Sequence, residues 1–144
     1  MKRKPILVVF LILMLVLITA CGSTDDTSKS ATLLSSSTEA EYRTVDIETL
    51  ATILEDNSDG YTIINVHIPY AGEIDGTDSN IAFNDMDALT AALLDKDTPV
   101  ILYCRSGNMS EQATRALVEL GYTQVWDVPG GMVSWQQSGR GLEN

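Results

Sequence analysis

Residues 99–110 read Pro-Val-Ile-Leu-Tyr-Cys-Arg-Ser-Gly-Asn-Met-Ser, and this stretch decides the fold class. It opens with a proline and four large, mainly apolar side chains, which is typical of a strand buried on both faces of a parallel sheet. Ser110 begins a helical pattern that Gly121 is predicted to end as a left-handed cap. The apolar positions of that helix, expected to point inward, are Ala113, Leu117 and Leu120. The stretch therefore predicts a strand, a turn and a helix, with Cys104 at the carboxyl end of the strand.

Strands and helices alternate on both sides of this unit. Asp46 and either Asn84 or Asp85 are predicted to cap helices, because each precedes apolar residues at helical spacing. Gly130-Gly131 opens a short closing helix. The other predicted strands are Tyr42–Val45, Tyr61–Val66, Asn80–Phe83 and Gln124–Val128. This order predicts an α/β domain in which a parallel central sheet of about five strands has helices on both faces.

The first 20 residues have the pattern of an export signal. Three basic residues near the start precede an apolar run at 6–18, which is shorter than the roughly 20 residues of a membrane-spanning helix. Residues 18–21, Ile-Thr-Ala-Cys, resemble the lipobox of bacterial lipoproteins. That resemblance implies cleavage before Cys21 and attachment of a diacylglycerol group to its thiol. An ordinary secretory signal and an uncleaved anchor are the alternatives, and all three place the rest of the chain outside the cytoplasm.

The chain therefore divides into three predicted segments. Residues 1–20 are a lipoprotein signal peptide, and residues 21–40 are the lipidated Cys21 with a flexible tether rich in Ser and Thr. Such a polar segment buries too little apolar surface to offset the entropy of ordering it. Residues 41–144 form the folded domain. The predicted location is extracytoplasmic, with the lipid anchoring the chain to the bacterial cell membrane.

The charge balance excludes one class of partner. The chain carries 20 acidic and nine basic residues, for a formal net charge of −11, and three of the basic ones lie in the predicted signal peptide. So acidic a domain repels the phosphate backbone, and we expect no nucleic-acid partner. The sequence carries no signal for an oligomeric state.

The numbers of cysteine and histidine residues argue against an internal disulfide and against a metal site. With Cys21 lipidated, Cys104 is the only thiol, so no internal disulfide forms. One histidine and one free cysteine cannot supply a set of metal ligands, and we predict no metal site and no cofactor. Two alternatives stay open for Cys104. Either it is buried and inert, or its chemistry is the reason for its presence.

The turn after Cys104 favours the second alternative. Gly107 and Asn108 are residue types that accept the dihedral angles of a tight concave loop. Such a loop of about five or six residues can aim several backbone N–H groups at one anion. The following helix adds the positive end of its dipole, and Arg105 adds a full charge, so we expect the thiolate form to be stabilised. The candidate anion-binding loop consists of Arg105, Ser106, Gly107, Asn108, Met109 and Ser110.

Tyr103–Ser110 strongly resembles the active-site loop of the rhodanese family, whose common form ends Gly-x-Arg-Ser. Three further segments are similar to family motifs: Ile-Asn-Val-His at 64–67, a shortened Gly-His-Ile-Pro-Gly-Ala stretch at 72–77, and Val-Pro-Gly-Gly at 128–131 followed by Trp135 and Gly139. The resemblance implies that Cys104 takes the outer sulfur of a donor such as thiosulfate, holds it as a persulfide and passes it on. The implied partners are a small sulfur-donor anion or persulfide, an acceptor thiol and, through the lipid, the membrane.

Four positions depart from the family pattern. Met109 and Glu73 stand where arginine and histidine are frequent, and Asn65 and His67 replace the usual aspartate and arginine. The loss of a cation at position 109 predicts weaker use of thiosulfate and a donor such as a persulfide or polysulfide. It also keeps open an alternative function, a non-catalytic binding or thiol redox-sensing module. A cysteine phosphatase or arsenate reductase is a disfavoured alternative, because those enzymes need an arginine that closes the loop and neither Met109 nor Ser110 can take that role.

Three residues near these motifs have simpler interpretations. His67, the only histidine, is predicted to form a hydrogen bond near a strand end rather than to act as a base. Met132 and Trp135 are predicted to belong to the hydrophobic core.

Overall fold

The computed structural model of the chain describes residues 42–56 and 59–144. These residues form one parallel sheet of five strands in the order β1-β5-β4-β2-β3, together with four helices. The strands are β1 Arg43–Thr44, β2 Thr62–Asn65, β3 Ser79–Asn80, β4 Val100–Tyr103 and β5 Val125–Asp127. The helices are α1 Ile47–Glu55, α2 Met86–Ala92, α3 Asn108–Glu119 and α4 Gly131–Gln137. The predicted α/β architecture is confirmed.

The central strand β4 separates two hydrophobic cores. Successive side chains of a strand point to opposite faces, so Val100 and Leu102 pack on one side while Ile101 and Tyr103 pack on the other. The first core includes buried residues of α2 and α3, and the second includes buried residues of α1 and α4. All four β4 side chains are fully buried, which explains why this strand reads as a continuous apolar run.

Two helix starts follow the predicted capping pattern. The carboxylate of Asp46 accepts a hydrogen bond from the Thr49 N–H at 2.8 Å, and that of Asp85 accepts from the Ala88 N–H at 3.0 Å. Each bond satisfies an N–H group that has no partner within its helix. Asp85, and not Asn84, is therefore the cap of α2.

The start and end of α3 differ from the prediction. The helix begins at Asn108 with Gly107 as its N-cap, so Ser110 lies inside the first turn instead of starting the helix. The turn after β4 is accordingly only Cys104–Gly107, shorter than expected. Leu120 was expected to point inward but is 47% exposed, because it follows the last helical residue as the C-cap. Gly121 does have the predicted left-handed conformation, with φ of +89°.

The strand predicted at Asn80–Phe83 is also misplaced. The regular strand is β3, Ser79–Asn80, and the chain then turns toward α2 with the Asp85 N–H bonded to the Ala82 carbonyl. The predicted signal peptide and tether, including Cys21, lie outside the described residues. In the part of the chain that is described, none of the helices has the length and apolar character that crossing a membrane requires.

Candidate active site

Cys104 stands at the carboxyl end of β4, in the turn that leads into α3. Gly107 closes this turn with φ of +95°, a left-handed conformation that glycine adopts without strain. A Cβ atom at this position would lie 2.8 Å from the backbone nitrogen of Gly130. Both the backbone conformation and the close neighbour therefore require glycine here.

The sulfur of Cys104 is buried but has polar neighbours. The residue is only 1% exposed. Its Sγ atom accepts a hydrogen bond from the Gly107 N–H at 3.1 Å, and the Ser110 hydroxyl lies 3.6 Å away as a second donor. The Gly107 carbonyl oxygen, 3.0 Å from the same hydroxyl, is the alternative acceptor for its single proton. Donors of this kind stabilise a negatively charged sulfur, so burial and polar contacts occur together at this thiol.

The first turn of α4 fixes the direction of the peptide groups beside Cys104. The Met132 N–H donates to the Cys104 carbonyl and the Val133 N–H donates to the Arg105 carbonyl, both at 2.9 Å. In a planar trans peptide the C=O and N–H bonds point in opposite directions. The N–H groups of Arg105 and Ser106 therefore point away from α4. Within the described residues neither N–H group has a hydrogen-bond acceptor, so both can bind an anion.

Gly131 allows α4 to approach the cysteine turn this closely. A Cβ atom at Gly131 would lie 1.9 Å from the Cys104 carbonyl oxygen, a distance at which atoms overlap. The residue also has a positive φ of +48°. The start of α4 therefore packs directly against the cysteine turn, and any side chain larger than that of glycine at position 131 would prevent this contact.

The family model for the rhodanese-like domain matches residues 24–138. The chain belongs to the rhodanese-like family. The resemblance seen in the sequence motifs is thereby confirmed. A sulfurtransferase of Allochromatium vinosum is 43% identical over 44 residues, which is 31% of this chain and 41% of that protein. The matched stretch therefore spans less than half the length of that curated relative.

Solved structures with this fold include other rhodanese-like proteins. A rhodanese-related protein from Thermoplasma volcanium matches with a TM-score of 0.57 and 27% identity, over 70% of this chain and 97% of that one. The rhodanese-like domain of an Anabaena protein matches with a TM-score of 0.62 and 22% identity, over 72% and 80%. A thiosulfate sulfurtransferase from Pseudomonas aeruginosa has a TM-score of 0.61 and 19% identity, over 72% and 20%. The last two matches show the fold alone.

Only some residues of the predicted anion-binding loop contact the Cys104 sulfur. Gly107 and Ser110 contact Sγ, while Arg105 and Ser106 are exposed and offer their N–H groups. The Asn108 side chain is exposed and accepts a hydrogen bond from Gln112 on the surface of α3. Met109 is partly buried and packs against the first hydrophobic core, so it adds apolar contact where the family often has a charge.

A groove beside Arg105 provides an approach to this turn. It has a volume of about 330 Å³ and is lined by Ala71, Arg105, Met132, Gln136 and Leu142. Arg105 is the charged residue of the lining. Met132 and Trp135 themselves are 1% and 7% exposed within the second core, which confirms their predicted role.

His67 lies near Arg105 but does not form the predicted hydrogen bond through Nδ1. That atom is buried and has no hydrogen-bond partner among the described residues. The backbone N–H of His67 donates to the Asn65 side chain at 3.0 Å. Burial lowers the pKa of His67, and the charge of Arg105 lowers it further. The His67 ring therefore stays neutral to a lower pH than the ring of a free histidine.

The single histidine makes this shift measurable by proton NMR. We expect the His67 ring to titrate below its usual value of 6.5 and to titrate closer to that value in Arg105→Gln. Because the folded pKa is lowered, stability is unaffected above the unfolded pKa and is lost as the pH falls from the unfolded pKa through the folded one. Arg115→Gln, on the exposed surface of α3, is the control and should not move the midpoint. A wild-type midpoint at or above 6.5 would contradict the burial argument.

Sequence reasoning missed two polar residues beneath the turn. Asp127 in β5 is 2% exposed, and its Oδ2 atom accepts a hydrogen bond from the Tyr42 hydroxyl at 2.9 Å. The only signal in the sequence was an acidic residue inside a predicted strand.

Proposed function

We propose that this protein is a sulfurtransferase that moves sulfane sulfur through a persulfide on Cys104. The observation that carries the proposal is the position of Sγ, which accepts a hydrogen bond from the Gly107 N–H and lies beside the Ser110 hydroxyl. The N–H groups of Arg105 and Ser106, which have no acceptor within residues 42–56 and 59–144, lie in the same turn. Membership of the rhodanese-like family and the similarity to a sulfurtransferase support the same chemistry.

The proposed reaction has two displacement steps. The thiolate of Cys104 attacks the outer sulfur of the donor, the sulfur–sulfur bond of the donor breaks, and its electron pair leaves with the departing anion. An acceptor thiolate then attacks the terminal sulfur of the persulfide and releases Cys104 as a thiolate. The nucleophile, the persulfide and the leaving group are all anions, so N–H donors in the turn stabilise each of them.

The side chains around the turn favour an alkyl persulfide over thiosulfate as donor. Arg105 is the charged residue in the lining of the adjacent groove, and Met109 is neutral and packs against the core. Thiosulfate carries two negative charges, whereas an alkyl persulfide carries one. A turn with one nearby cation stabilises the second type of donor better than the first.

Cyanide treatment of the donor-loaded protein tests the proposal. Glutathione persulfide, polysulfide and thiosulfate are each incubated with the purified full-length chain, and the excess donor is removed. Cyanide should then release about one thiocyanate per chain after the persulfide and less after thiosulfate. Absence of thiocyanate after all three donors would overturn the transfer function.

A non-catalytic redox-sensing or binding module is the second candidate, and the burial of Cys104 favours a role without sulfur transfer. A thiol that is 1% exposed is poorly accessible to a donor anion and to an acceptor thiol. Under this alternative the thiol is oxidised by peroxide but never carries a transferable sulfur. The cyanide experiment separates the two functions because only the first releases thiocyanate.

We further propose that the protein is extracytoplasmic and lipid-anchored through Cys21. The support is the sequence pattern of residues 1–21, which lies outside the described residues. Cys21→Ser is expected to move most of the protein from the membrane fraction to the soluble fraction, or to leave an unprocessed precursor. Cys104→Ser is the matched control and should stay in the membrane fraction. Unchanged fractionation and processing of Cys21→Ser would contradict the anchor.

A further inference from the structure

Four segments of the chain enclose the groove beside Arg105. Met132 and Gln136 are four residues apart in α4, so their side chains lie on the same face of the helix. Arg105 belongs to the cysteine turn, Ala71 to the loop after β2, and Leu142 to the segment after α4. The lining therefore combines three apolar side chains with one guanidinium group and one amide group.

Hydrogen bonds on both sides of Leu142 hold this residue at the groove. The Trp135 Nε1–H group donates to the Gly141 carbonyl at 2.8 Å. Glu143 and Glu73 exchange two backbone hydrogen bonds, each of 2.8 Å. Leu142 itself is partly buried and packs against the second hydrophobic core. This side of the groove is therefore part of the folded domain.

Arg105 differs from the other basic residues in the part of the chain that the structure describes. Each of the others lies over an aromatic ring, with these distances to the ring centroid: Arg43 over Trp126 at 5.3 Å, Lys96 over Tyr122 at 5.7 Å, Arg115 over Tyr42 at 4.2 Å and Arg140 over Trp135 at 5.1 Å. Within residues 42–56 and 59–144, the guanidinium group of Arg105 lies over no ring and has no hydrogen bond or salt bridge. The side-chain amide of Gln136 has no hydrogen-bond partner among the same residues. The groove thus presents two polar groups that no described residue satisfies.

The size and charge of the groove indicate the kind of ligand that it suits. Its volume of about 330 Å³ is at the lower end of the roughly 300–1,000 Å³ of clefts that bind small molecules. A planar guanidinium group binds a carboxylate through two parallel N–H bonds. A dianion such as sulfate is less suited, because Arg105 is the charged residue of the lining and the chain has a net charge of −11. The apolar side chains favour a ligand with a hydrocarbon part.

We propose that this groove binds a small organic molecule that carries a single carboxylate group. The guanidinium group of Arg105 and the side-chain amide of Gln136 donate hydrogen bonds to the carboxylate, and the hydrocarbon part of the ligand lies against Met132 and Leu142. The inference goes beyond the proposed function, because this binding requires no sulfur transfer. The bound carboxylate lies at the residue that directly follows Cys104.

A matched pair of probes without sulfur tests this site. Pentanoate and pentanamide have the same length and nearly the same shape, but only pentanoate carries a charge. Each is titrated into the purified full-length chain, and NMR follows the ring of His67, the single histidine, and the methyl group of Met132. His67 reports on the Arg105 end of the groove, since the charge of Arg105 acts on its ring. Pentanoate should shift both signals to saturation, with a Kd at least about tenfold lower than that of pentanamide, because its hydrogen bonds to Arg105 are charge-assisted.

Three variants assign this preference to the lining of the groove. Arg105→Gln should make the two Kd values equal, because pentanoate then meets no cation. Arg115→Gln is the matched control, the same change at an exposed arginine of α3, and it should keep the preference for pentanoate. Leu142→Ser should weaken both probes by the same factor, because it removes apolar contact and no charge.

Equal Kd values for the two probes in the wild type, or a preference for pentanoate that persists in Arg105→Gln, would overturn the inference. Sulfate that shifts both signals at the same concentrations as pentanoate would also overturn it, because the groove would then select charge alone. A shift of the His67 ring without the Met132 methyl group would place the ligand outside the groove and have the same consequence. The probes carry no sulfur, so failure of the cyanide experiment would overturn the proposed function and leave this result unchanged.

Discussion

Replacement of Cys104 by serine is expected to abolish sulfur loading and to leave the fold intact. Mass spectrometry of the persulfide-treated wild type should show one added sulfur on Cys104 and none in Cys104→Ser. Thiocyanate release should fall at least about a thousandfold, because a serine hydroxyl at neutral pH is a far weaker nucleophile than a thiolate. Since serine is slightly smaller and can still accept from the Gly107 N–H, the free energy of unfolding should change by only about 1 kcal/mol.

Ser106→Ala is the matched control for this variant. Ser106 is exposed and its backbone N–H, not its side chain, is the group assigned to anion binding. Loading should therefore continue in Ser106→Ala. Sulfur found on Cys104→Ser after donor treatment would contradict the assignment of Cys104 as the carrier.

Replacement of Gly131 by alanine is expected to cause a large loss of stability. The new Cβ atom would meet the Cys104 carbonyl oxygen at 1.9 Å, and because the oxygen is a backbone atom and the backbone fixes the position of Cβ, neither can rotate away. The backbone of residue 131 must shift, which also strains the Met132 N–H bond to the same carbonyl. Urea unfolding should show a loss of about 3 kcal/mol or more.

Gly139→Ala separates the close contact from the backbone conformation. Gly139 also has a positive φ, +88°, but a Cβ atom there has nothing within 4 Å. Its loss should be only the roughly 1–2 kcal/mol of a left-handed alanine. If Gly131→Ala and Gly139→Ala lose the same free energy of unfolding, the close approach of Gly131 to Cys104 does not contribute to the loss.

The features that the sequence predicted well depend on local signals. The run of four large side chains located β4, and the short polar side chains of Asp46 and Asp85 located two helix starts. The start of α3 was misplaced because Gly107 caps it without a side-chain bond. Its position depends on tertiary contact with Gly130, which local spacing does not reveal.

Local sequence patterns also predicted only those residues of the candidate site that are close together along the chain. Cys104, Gly107 and Ser110 are close in sequence, so their type and spacing were sufficient to predict that they meet at the sulfur. Asp127 is 85 residues away from its hydrogen-bond donor Tyr42, and its burial depends on how β5 packs against β1 and α3. No local pattern distinguishes such a buried carboxyl group from an acidic residue on the surface.

The two bonds from α4 to the cysteine turn have a consequence for how the protein matures. A chain is made from its N-terminus, so Cys104 emerges before Met132 and Val133, whose N–H groups orient the turn. Until those residues arrive, the nascent chain carries an ordinary, unshielded sulfhydryl with no aligned donors. Sulfur handling thus begins only after α4 has been made and has packed against the cysteine turn, and oxidants can reach the thiol until then.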